Sequence, residues 1–352
     1  MSKLSVALCT YNGARYLQAQ LESIASQTRP PDELVITDDC STDSTAAIVR
    51  AFASRAAFPV RFQVNDHNVG STRNFERTIF RCAGDVIALS DQDDVWLPAK
   101  LAKLEAALER SPDIGLVFSD AELVDETLHP LGRRLWEFSF SRANRNKFLE
   151  GRWLDVLTAY NVVTGATMAF RTRFRELAFP VPKLGDTIHD GWIALVVGLF
   201  ARLVFLDEPL VLYRQHNTQQ LGVDLNPPPE EVDSFYRRFE YPRVARFYAH
   251  EIARLTDVSA CLNEVKGRTG NGAGGLASGQ AAELENHIAK LHDRIIHYRV
   301  RGELSPRRIR RLGPVVRELL AHRYHLFSSG VLSALRDLIR DVRSKERSGR
   351  EL

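Results

Sequence analysis

The chain has 352 residues, of which 44% are hydrophobic and 26% are charged, which is the composition of a globular protein with one large domain and a smaller unit. The longest apolar run, Trp192–Ala201, is too short to cross a bilayer core about 30 Å thick. The N-terminus runs directly into an apolar segment without the regions of a secretory signal. The four cysteines have no paired spacing that would indicate a zinc site or a disulfide framework, which favours buried free thiols in a reducing cytosol.

The charge is distributed unevenly along the chain. Residues 301–352 contain 13 Lys and Arg against 6 Asp and Glu, a net charge of +7, whereas the other 300 residues contain 34 against 38, a net charge of −4. This asymmetry predicts either a tail that meets an anionic partner or a set of solvated helices.

The first 110 residues alternate between strand-like and helix-like segments. Strands are predicted at 4–9, 34–37, 60–64 and 86–89. Helices are predicted at 14–27, 72–82 and 98–110, and a further helix is predicted to begin at a capping residue within 41–45 and to end at about residue 53. This alternation predicts a mostly parallel sheet with helices on both faces. Ligands of such sheets bind beyond the carboxyl ends of the strands, and polar clusters follow three of these strands at 10–12, 38–39 and 91–94.

Later segments change in character. Strands are predicted near 116–119, 166–171, 203–206 and 211–214, with an apolar helix around 191–200, and charged amphipathic helices begin at about residue 228. Six glycines within 267–279 predict a flexible linker. We therefore predict a catalytic domain over residues 1–225 and a helical C-terminal region over residues 226–352.

An acidic turn, Ser90–Asp94, follows the fourth predicted strand and contains three carboxylates within four positions. Such carboxylates repel one another unless a cation or hydrogen-bond donors compensate them. Hard oxygen ligands suit Mg²⁺ or Mn²⁺, which take further ligands from phosphates and water. The alternative is a solvated helix start.

Two other polar clusters follow strands. A carboxylate in Asp38-Asp39-Cys40-Ser41-Thr42-Asp43 can accept a hydrogen bond from the imide N–H of uracil or thymine, although Ser41 or Asp43 could equally cap a helix. In Thr10-Tyr11-Asn12 the tyrosine ring could stack on a base, or it could belong to the core.

Taken together, these motifs resemble the family 2 glycosyltransferases, enzymes with the GT-A fold. The resemblance covers about residues 3–110 and returns in patches at 163–170, 189–192 and 213–216. The form Ser-Asp-Gln-Asp-Asp-Val-Trp is most similar to the branch that includes bacterial rhamnosyltransferases of surface polysaccharides. The resemblance implies an α/β fold of the GT-A type, with a Rossmann-like, mostly parallel sheet flanked by helices and a C-terminal helical extension.

The resemblance also implies a nucleotide site. Asp39 matches the carboxylate that reads the base, Arg73 a basic residue near the phosphates, and Asp91 a residue directed toward the ribose. Cys40 departs from the family, which usually has glycine there. The residues predicted to bind the nucleotide are Thr10, Tyr11, Asn12, Asp39, Arg73 and Asp91.

The catalytic and metal residues follow from the same resemblance. Asp190 is the predicted general base, although an anion at a helix start is favourable without catalysis. Asp93 is the predicted metal ligand, and His216 is a second candidate for contact with the metal or diphosphate. A donor-sugar or acceptor wall is predicted at Gly165, Ala166, Thr167, His189 and Trp192.

We therefore expect an inverting hexosyltransferase that depends on Mg²⁺ or Mn²⁺. The leading donor is dTDP-L-rhamnose, followed by UDP-sugars. The expected acceptor is a glycan or a lipid-linked sugar in the synthesis of a surface polysaccharide. The alternative is an inactive protein that binds nucleotide sugars on the same fold. Nucleic-acid binding is not expected, because the basic tail lacks interleaved aromatic residues. The oligomeric state stays open.

The predicted tail helix within 331–343 places apolar residues on one face, with four arginines upstream at 307, 308, 310 and 311. This pattern fits peripheral contact with an anionic membrane, packing on the catalytic domain, or pairing with another subunit. The interleaved Asp337 and Asp341 weaken the membrane interpretation. We expect a cytoplasmic protein, with contact at the inner face of the cell membrane as an option.

Overall fold

The computed structural model describes residues 2–159, 161–183, 188–217, 219, 222–223, 241–270, 278–305, 307–328 and 330–339. The chain divides into two compact units, Met1–Val223 and Asp224–Leu352. The predicted domain division after residue 225 falls within 224–240, outside the described residues. Among the described helices, none combines the length and the apolar character that a membrane span requires.

The first unit is built on one mixed sheet. In its described part, the strands follow the order β3-β2-β1-β4-β8-β6-β9-β5, and β7 pairs with β6. The strands are β1 (Leu4–Thr10), β2 (Glu33–Asp38), β3 (Val60–Val64), β4 (Val86–Ser90), β5 (Val95–Trp96), β6 (Ile114–Val124), β7 (Pro130–Arg134), β8 (Met168–Arg171) and β9 (Arg202–Arg214).

Strands β1 to β4 form the parallel half that the sequence predicts. Every residue of β1 and β4 is buried, as expected for strands covered on both faces by helices. The register places Thr10 opposite Asp38 and Leu8 opposite Ser90. The carboxyl ends of these strands therefore meet at one edge, where the polar motifs begin.

The other half of the sheet is mixed. Its longest pairing, between β6 and β9, is parallel, whereas its shorter pairings are antiparallel, so parallel pairs still form the longer ladders of the whole sheet. Strand β8 lies antiparallel between β4 and β6, and β5 lies antiparallel to β9. The two strands predicted at 203–206 and 211–214 are one continuous strand, β9. A proline within a strand pattern suggests that the strand ends there. Pro209 is nevertheless accommodated in β9, at the point where the register shifts opposite Asp120.

Helices flank the sheet, most of them where the hydrophobic spacing predicts. The long apolar helix α9 is buried except at Gly191. The helices of this unit are α1 (Leu17–Ala25), α2 (Thr45–Ala53), α3 (Ser71–Arg81), α4 (Lys100–Glu109), α5 (Trp136–Ser139), α6 (Arg142–Leu149), α7 (Trp153–Leu157), α8 (Arg175–Ala178) and α9 (His189–Phe200).

The second unit is helical in its described part, which confirms the predicted helical C-terminal region. The predicted bounds of the linker, 267–279, are wrong, because residues 267–270 and 278–279 belong to helices. Residues 271–277 lie outside the described residues. The helices are α10 (Tyr241–Gly270), α11 (Ser278–Gly302), α12 (Leu312–Leu320), α13 (Arg323–Phe327) and α14 (Val331–Ile339).

Helices α10 and α11 pack as a long pair. Their buried leucine, valine and isoleucine side chains recur at alternating spacings of three and four residues, which is the pattern of a coiled-coil seam. These side chains are Leu255, Val258, Leu262 and Val265 on one helix and Leu284, Ile288, Leu291 and Ile295 on the other.

Candidate active site

The loops after β1 and β2 are joined by hydrogen bonds. Thr10 Oγ1 donates to Asp38 Oδ1 at 2.7 Å. Asn12 has a positive φ of 48°, donates its backbone N–H to Ser41 Oγ at 2.8 Å, and accepts from the Thr42 backbone N–H at 2.8 Å. Thr10 and Asn12 therefore hold two predicted nucleotide-binding loops together as one wall.

Asp39 lies behind this wall and is buried. Its carboxylate accepts hydrogen bonds from the backbone N–H groups of Val69 and Gly70, the latter at 2.8 Å, and from Asn65 Nδ2 at 2.8 Å. The next residue, Cys40, adopts a φ of 67°, a conformation that glycine reaches more easily, so the turn survives the departure from the family pattern. Asp39 is thus held in one orientation by the loop between β3 and α3.

Gln92 connects the acidic turn to the exposed Tyr11. The Tyr11 backbone N–H donates to Gln92 Oε1 at 2.8 Å, and Gln92 Nε2 donates to the Tyr11 carbonyl at 3.0 Å. A Cβ on Gly13 would lie 2.2 Å from the same Oε1, so a side chain at this position would displace the Gln92 amide from Tyr11. Gln92 has no signal of its own in the sequence, where it is a neutral residue between two candidate ligands, Asp91 and Asp93.

The acidic turn also contacts the end of β9. Asp93 Oδ2 lies 3.0 Å from His216 Nε2, and the His216 side chain is only 5% exposed. Arg214 donates from Nε to the Asp93 carbonyl at 2.6 Å and from its backbone N–H to Asp94 Oδ1 at 3.1 Å. The two predicted metal-contacting residues, Asp93 and His216, are therefore adjacent.

Asp94 points into the protein interior, where its Oδ2 has no hydrogen-bond partner among the described residues. Burial, followed by the charges of Asp93 and Asp91, raises the pKa of Asp94 well above its ordinary value. This placement agrees with a supporting role in the turn.

Lys100 is a buried cation near this turn that sequence reasoning did not select. Its Nζ donates to the Ala166 carbonyl at 2.5 Å and lies 3.4 Å from the centroid of the Trp96 ring. Burial lowers the pKa of Lys100 well below its ordinary value, while Asp94 and Asp91 oppose that effect. Lys100 thus connects the segment that contains Ala166 to Trp96 of β5, which follows the acidic turn.

Asp91 is the carboxylate of the acidic turn whose pKa also depends on the charge of the candidate base, Asp190. Burial, followed by the negative charges of Asp93 and Asp190, raises the pKa of Asp91 to about 7. Carboxylates that raise one another's pKa in this way favour binding of a cation between them. In the described part of the chain, no group of three His, Cys, Asp or Glu side chains is arranged to hold a metal ion by itself.

Asp190 lies in the first turn of α9, where the helix favours a negative charge. Its Oδ1 accepts from Asn161 Nδ2 at 2.8 Å and from the Gly191 N–H at 2.6 Å. Its Oδ2 accepts from the Gly165 backbone N–H at 2.9 Å. The carboxylate is therefore fixed in orientation, and Asn161, which carried no signal in the sequence, is one of the residues that fix it.

His189 stacks on Phe75 of α3, with ring centroids 4.0 Å apart and planes inclined by 19°. Neither ring nitrogen has a hydrogen-bond partner among the described residues. Burial lowers the pKa of His189, although the Asp190 charge opposes this, so the imidazole is neutral at neutral pH. A buried imidazole with both nitrogens unsatisfied is available to a ligand or to water.

The remaining residues of the predicted sugar wall lie in the interior. Ala166 and Thr167 are fully buried, and Thr167 Oγ1 donates to the Thr164 carbonyl at 2.8 Å. Trp192 is buried, and its indole N–H donates to the Ala178 carbonyl at 2.7 Å. Within this group the structure brings Gly165 and His189 next to Asp190 and uses the other three for packing.

Arg73 stands on the outer face of α3 and pairs with Glu76. It borders an open surface cavity of about 550 Å³ that Arg77 and Arg81 also line. Val69, whose backbone N–H binds Asp39, borders the same cavity. Arg73 therefore lies near the predicted base-reading loop, but in contact with its own helix neighbour.

Comparison with known proteins identifies the family. Residues 5–172 match the model of Glycosyl transferase family 2. Residues 5–172 belong to this family. The matched stretch contains the first two loops, the acidic turn and Gly165, whereas Asp190 and His216 lie beyond it.

Two relatives show the extent of the similarity in sequence. An uncharacterized glycosyltransferase of Nostoc sp. is 28% identical over 217 residues, 61% of this chain and 65% of the relative. TuaG of Bacillus subtilis, a protein named for teichuronic acid biosynthesis, is 30% identical over 132 residues, 36% of this chain and 52% of TuaG. The chain thus spans less than two thirds of the length of these relatives.

The crystal structure of S. aureus TarS 1-349 in complex with UDP-GlcNAc superimposes with a TM-score of 0.53 at 16% identity, covering 96% of this chain and 88% of that chain. At this identity the similarity shows the fold alone. The chain has the GT-A fold, with a helical C-terminal region, as the sequence predicts.

Proposed function

We propose that this protein is an inverting glycosyltransferase that transfers a sugar from a nucleoside diphosphate to an acceptor hydroxyl. The proposal rests on one observation. Asp190 Oδ2 accepts from the Gly165 backbone N–H at 2.9 Å, and the carbonyl of the next residue, Ala166, accepts from Lys100, which lies over the Trp96 ring just after the acidic turn. This chain of contacts supports placing Asp190 in one site with the Asp93–His216 pair. A site for a diphosphate and a base for a hydroxyl are the two requirements of such a transfer.

The acidic turn suits a Mg²⁺ or Mn²⁺ ion. Asp93 offers a carboxylate oxygen and His216 an imidazole nitrogen, and these two atoms lie 3.0 Å apart. Two protein ligands are enough for an ion that takes its other ligands from a diphosphate and water. When bound, such an ion would neutralise the charge that develops on the departing diphosphate.

Asp190 serves as the general base in this proposal. Inversion requires a single in-line displacement, in which the acceptor oxygen bonds to the anomeric carbon while the bond to the diphosphate oxygen breaks. The acceptor hydroxyl loses its proton to the Asp190 carboxylate during this step. Asn161 and the Gly165 N–H hold that carboxylate in place, so no reorganisation is needed when the acceptor arrives.

The proposed donor carries uracil or thymine, because Asp39 and Tyr11 lie in the loops that the family uses for the base. dTDP-L-rhamnose and UDP-sugars remain the two donor classes, the first from the rhamnosyltransferase-like motif and the second from the UDP-GlcNAc complex of TarS. The proposed acceptor is a glycan or lipid-linked sugar of a surface polysaccharide, as the name of TuaG suggests for that relative. Peripheral contact with the inner face of the membrane would keep the enzyme close to a lipid-linked acceptor.

A thermal-shift screen of the purified full chain tests this proposal. The screen uses UDP-, dTDP- and GDP-sugars, each with Mn²⁺, with Mg²⁺ and with a chelator. We expect that uridine or thymidine diphosphate sugars raise the melting temperature only when the metal is present. In a separate transfer assay, we expect the product to have the inverted anomeric configuration. Metal-independent stabilisation by GDP-sugars, or retention of configuration, would contradict the proposal.

A further inference from the structure

Exposed apolar side chains are concentrated on two short helices of the second unit. Helix α12 exposes an apolar side chain at every fourth position, and α14 repeats the pattern, with exposed fractions between 47% and 77%. The six residues, called the apolar face below, are Leu312, Val316 and Leu320 on α12 and Val331, Leu335 and Ile339 on α14. Single exposed leucines are ordinary, but each of these two contacting helices carries three exposed apolar side chains at a spacing of four residues, which forms an apolar stripe on each helix.

The apolar face is not part of the core of this unit. Helices α12 and α14 pack against each other and share a small core formed by Leu304, Val315, Tyr324 and Ala334. Leu319 and Leu338 pack against that core from the same two helices. Each helix therefore uses one side for folding and exposes a second apolar side that folding does not require.

The acidic residues of this region are removed from its surface. Between Arg307 and Ile339 the sequence has seven arginines and two acidic residues, Glu318 and Asp337. Asp337 is buried, where it accepts from Arg301 Nε at 2.6 Å and from the Tyr324 hydroxyl at 2.8 Å. In the sequence alone, the negative charge of Asp337 weakens the membrane interpretation. In the structure this charge does not reach the surface.

Glu318 is buried in the same way. It contacts His297 Nδ1 at 2.9 Å and accepts from Arg323 Nη1 at 3.0 Å. In contrast, Arg307, Arg308 and Arg310 are exposed beside Ile309, which is itself 78% exposed. The described surface of residues 307–339 thus combines apolar side chains with positive charge, and the exposed carboxylate beside it is Glu303, which borders the same cavity as Arg310.

We propose that the apolar face, with its adjoining arginines, docks on an anionic lipid bilayer. A bilayer interface offers hydrocarbon for the aliphatic side chains and phosphate groups for the guanidinium groups, which is the combination that this surface complements. A soluble protein partner would need an acidic rim around an apolar centre. This inference is independent of the proposed transferase activity, because it concerns a separate unit of the chain.

Vesicle sedimentation with the full chain tests the inference. Vesicles of phosphatidylcholine alone are compared with vesicles of phosphatidylcholine mixed with phosphatidylglycerol. We expect binding to the anionic vesicles and its weakening by salt, because surface charge attraction is screened. The double variant Leu320→Asp/Ile339→Asp should bind at least about tenfold more weakly, since it places charge in the membrane contact.

The control variant is Leu149→Asp, which adds the same charge at a 74% exposed leucine of the first unit and should leave vesicle binding unchanged. The triple variant Arg307→Glu/Arg308→Glu/Arg310→Glu should lose the preference for anionic vesicles, whereas Arg133→Glu/Arg134→Glu should keep it. An unchanged melting temperature and an unchanged helical circular dichroism spectrum in all variants show that they are folded.

Two results would overturn the inference. One is equal binding of the wild type and the Leu320→Asp/Ile339→Asp variant to anionic vesicles. The other is absence of vesicle binding together with a change from oligomer to monomer in that variant by sedimentation velocity, which would identify the apolar face as an interface between copies of the chain.

Discussion

Asp93 and His216 are 123 residues apart in the sequence, yet Asp93 Oδ2 lies 3.0 Å from His216 Nε2. The contact exists because β5, which follows the acidic turn, runs antiparallel to β9, which precedes His216. Arg214 strengthens this junction by donating to the Asp93 carbonyl. The end of one strand and the turn after another therefore form a single pair of candidate metal ligands.

Replacement of Asp93 tests the metal site. Asp93→Ala should lower transfer by about 100-fold or more, because the charge on the departing diphosphate loses its stabilisation. His216→Ala should have a smaller effect, because one carboxylate ligand remains. Initial rates of transfer measured over a Mn²⁺ titration give the loss of activity in each of the two variants. The surface variant Asp113→Ala is the control. Full activity of Asp93→Ala, or of the wild type in a chelator, would contradict the assignment.

Replacement of Asp190 separates catalysis from binding. Asp190→Asn keeps the size of the side chain but removes the base, so transfer should fall by about 10²- to 10⁴-fold while the donor still stabilises the protein. Asn161→Ala should cause an intermediate loss, because it releases one of the donors that orient the carboxylate. Asp207→Asn, at a largely exposed aspartate, is the matched control. Unchanged turnover in Asp190→Asn would remove Asp190 as the base.

Gln92 is expected to position the nucleotide loop. Gln92→Ala removes both hydrogen bonds to the Tyr11 backbone, so the apparent KM for the donor should rise by about tenfold, the equivalent of about one net hydrogen bond. The rate at saturating donor should change much less. Steady-state kinetics against donor concentration measure this, and Gln18→Ala on the surface of α1 should behave as the wild type. A loss confined to kcat would argue against a positioning role.

His297 makes stability depend on pH. Burial is the main cause that lowers its pKa to about 4, with Arg301 acting in the same direction and Glu318 and Asp337 acting against it. Between pH 4 and 6.5 the unfolded chain binds the proton more strongly than the folded chain, so the stability contributed by neutral His297 falls as the pH decreases through this window.

The slope from this one group approaches about 1.4 kcal/mol per pH unit. Urea unfolding followed by circular dichroism at several pH values should show a shallower pH dependence in His297→Gln than in the wild type. His129→Gln, at an exposed histidine, is the control. Identical pH profiles for the wild type and His297→Gln would exclude this contribution.

The sequence by itself determines the parallel half of the fold and the edge of the sheet at which the polar motifs meet. Alternating apolar strands and amphipathic helices predict β1 to β4, and the polar residues after those strands must meet because parallel strands end at one edge. The motifs at Asp39, Asp93 and Asp190 are local enough to be read without any structure.

The tertiary structure decides what depends on contacts between distant segments. Three features have no local signal in the sequence, because each depends on a partner far along the chain. They are the antiparallel insertion of β8, the continuity of β9 through Pro209, and the hydrogen bonds between Gln92 and the Tyr11 backbone. The burial of Asp337 is the clearest example. Its charge is visible in the sequence, but only packing against Arg301 and Tyr324 determines that it does not reach the solvent.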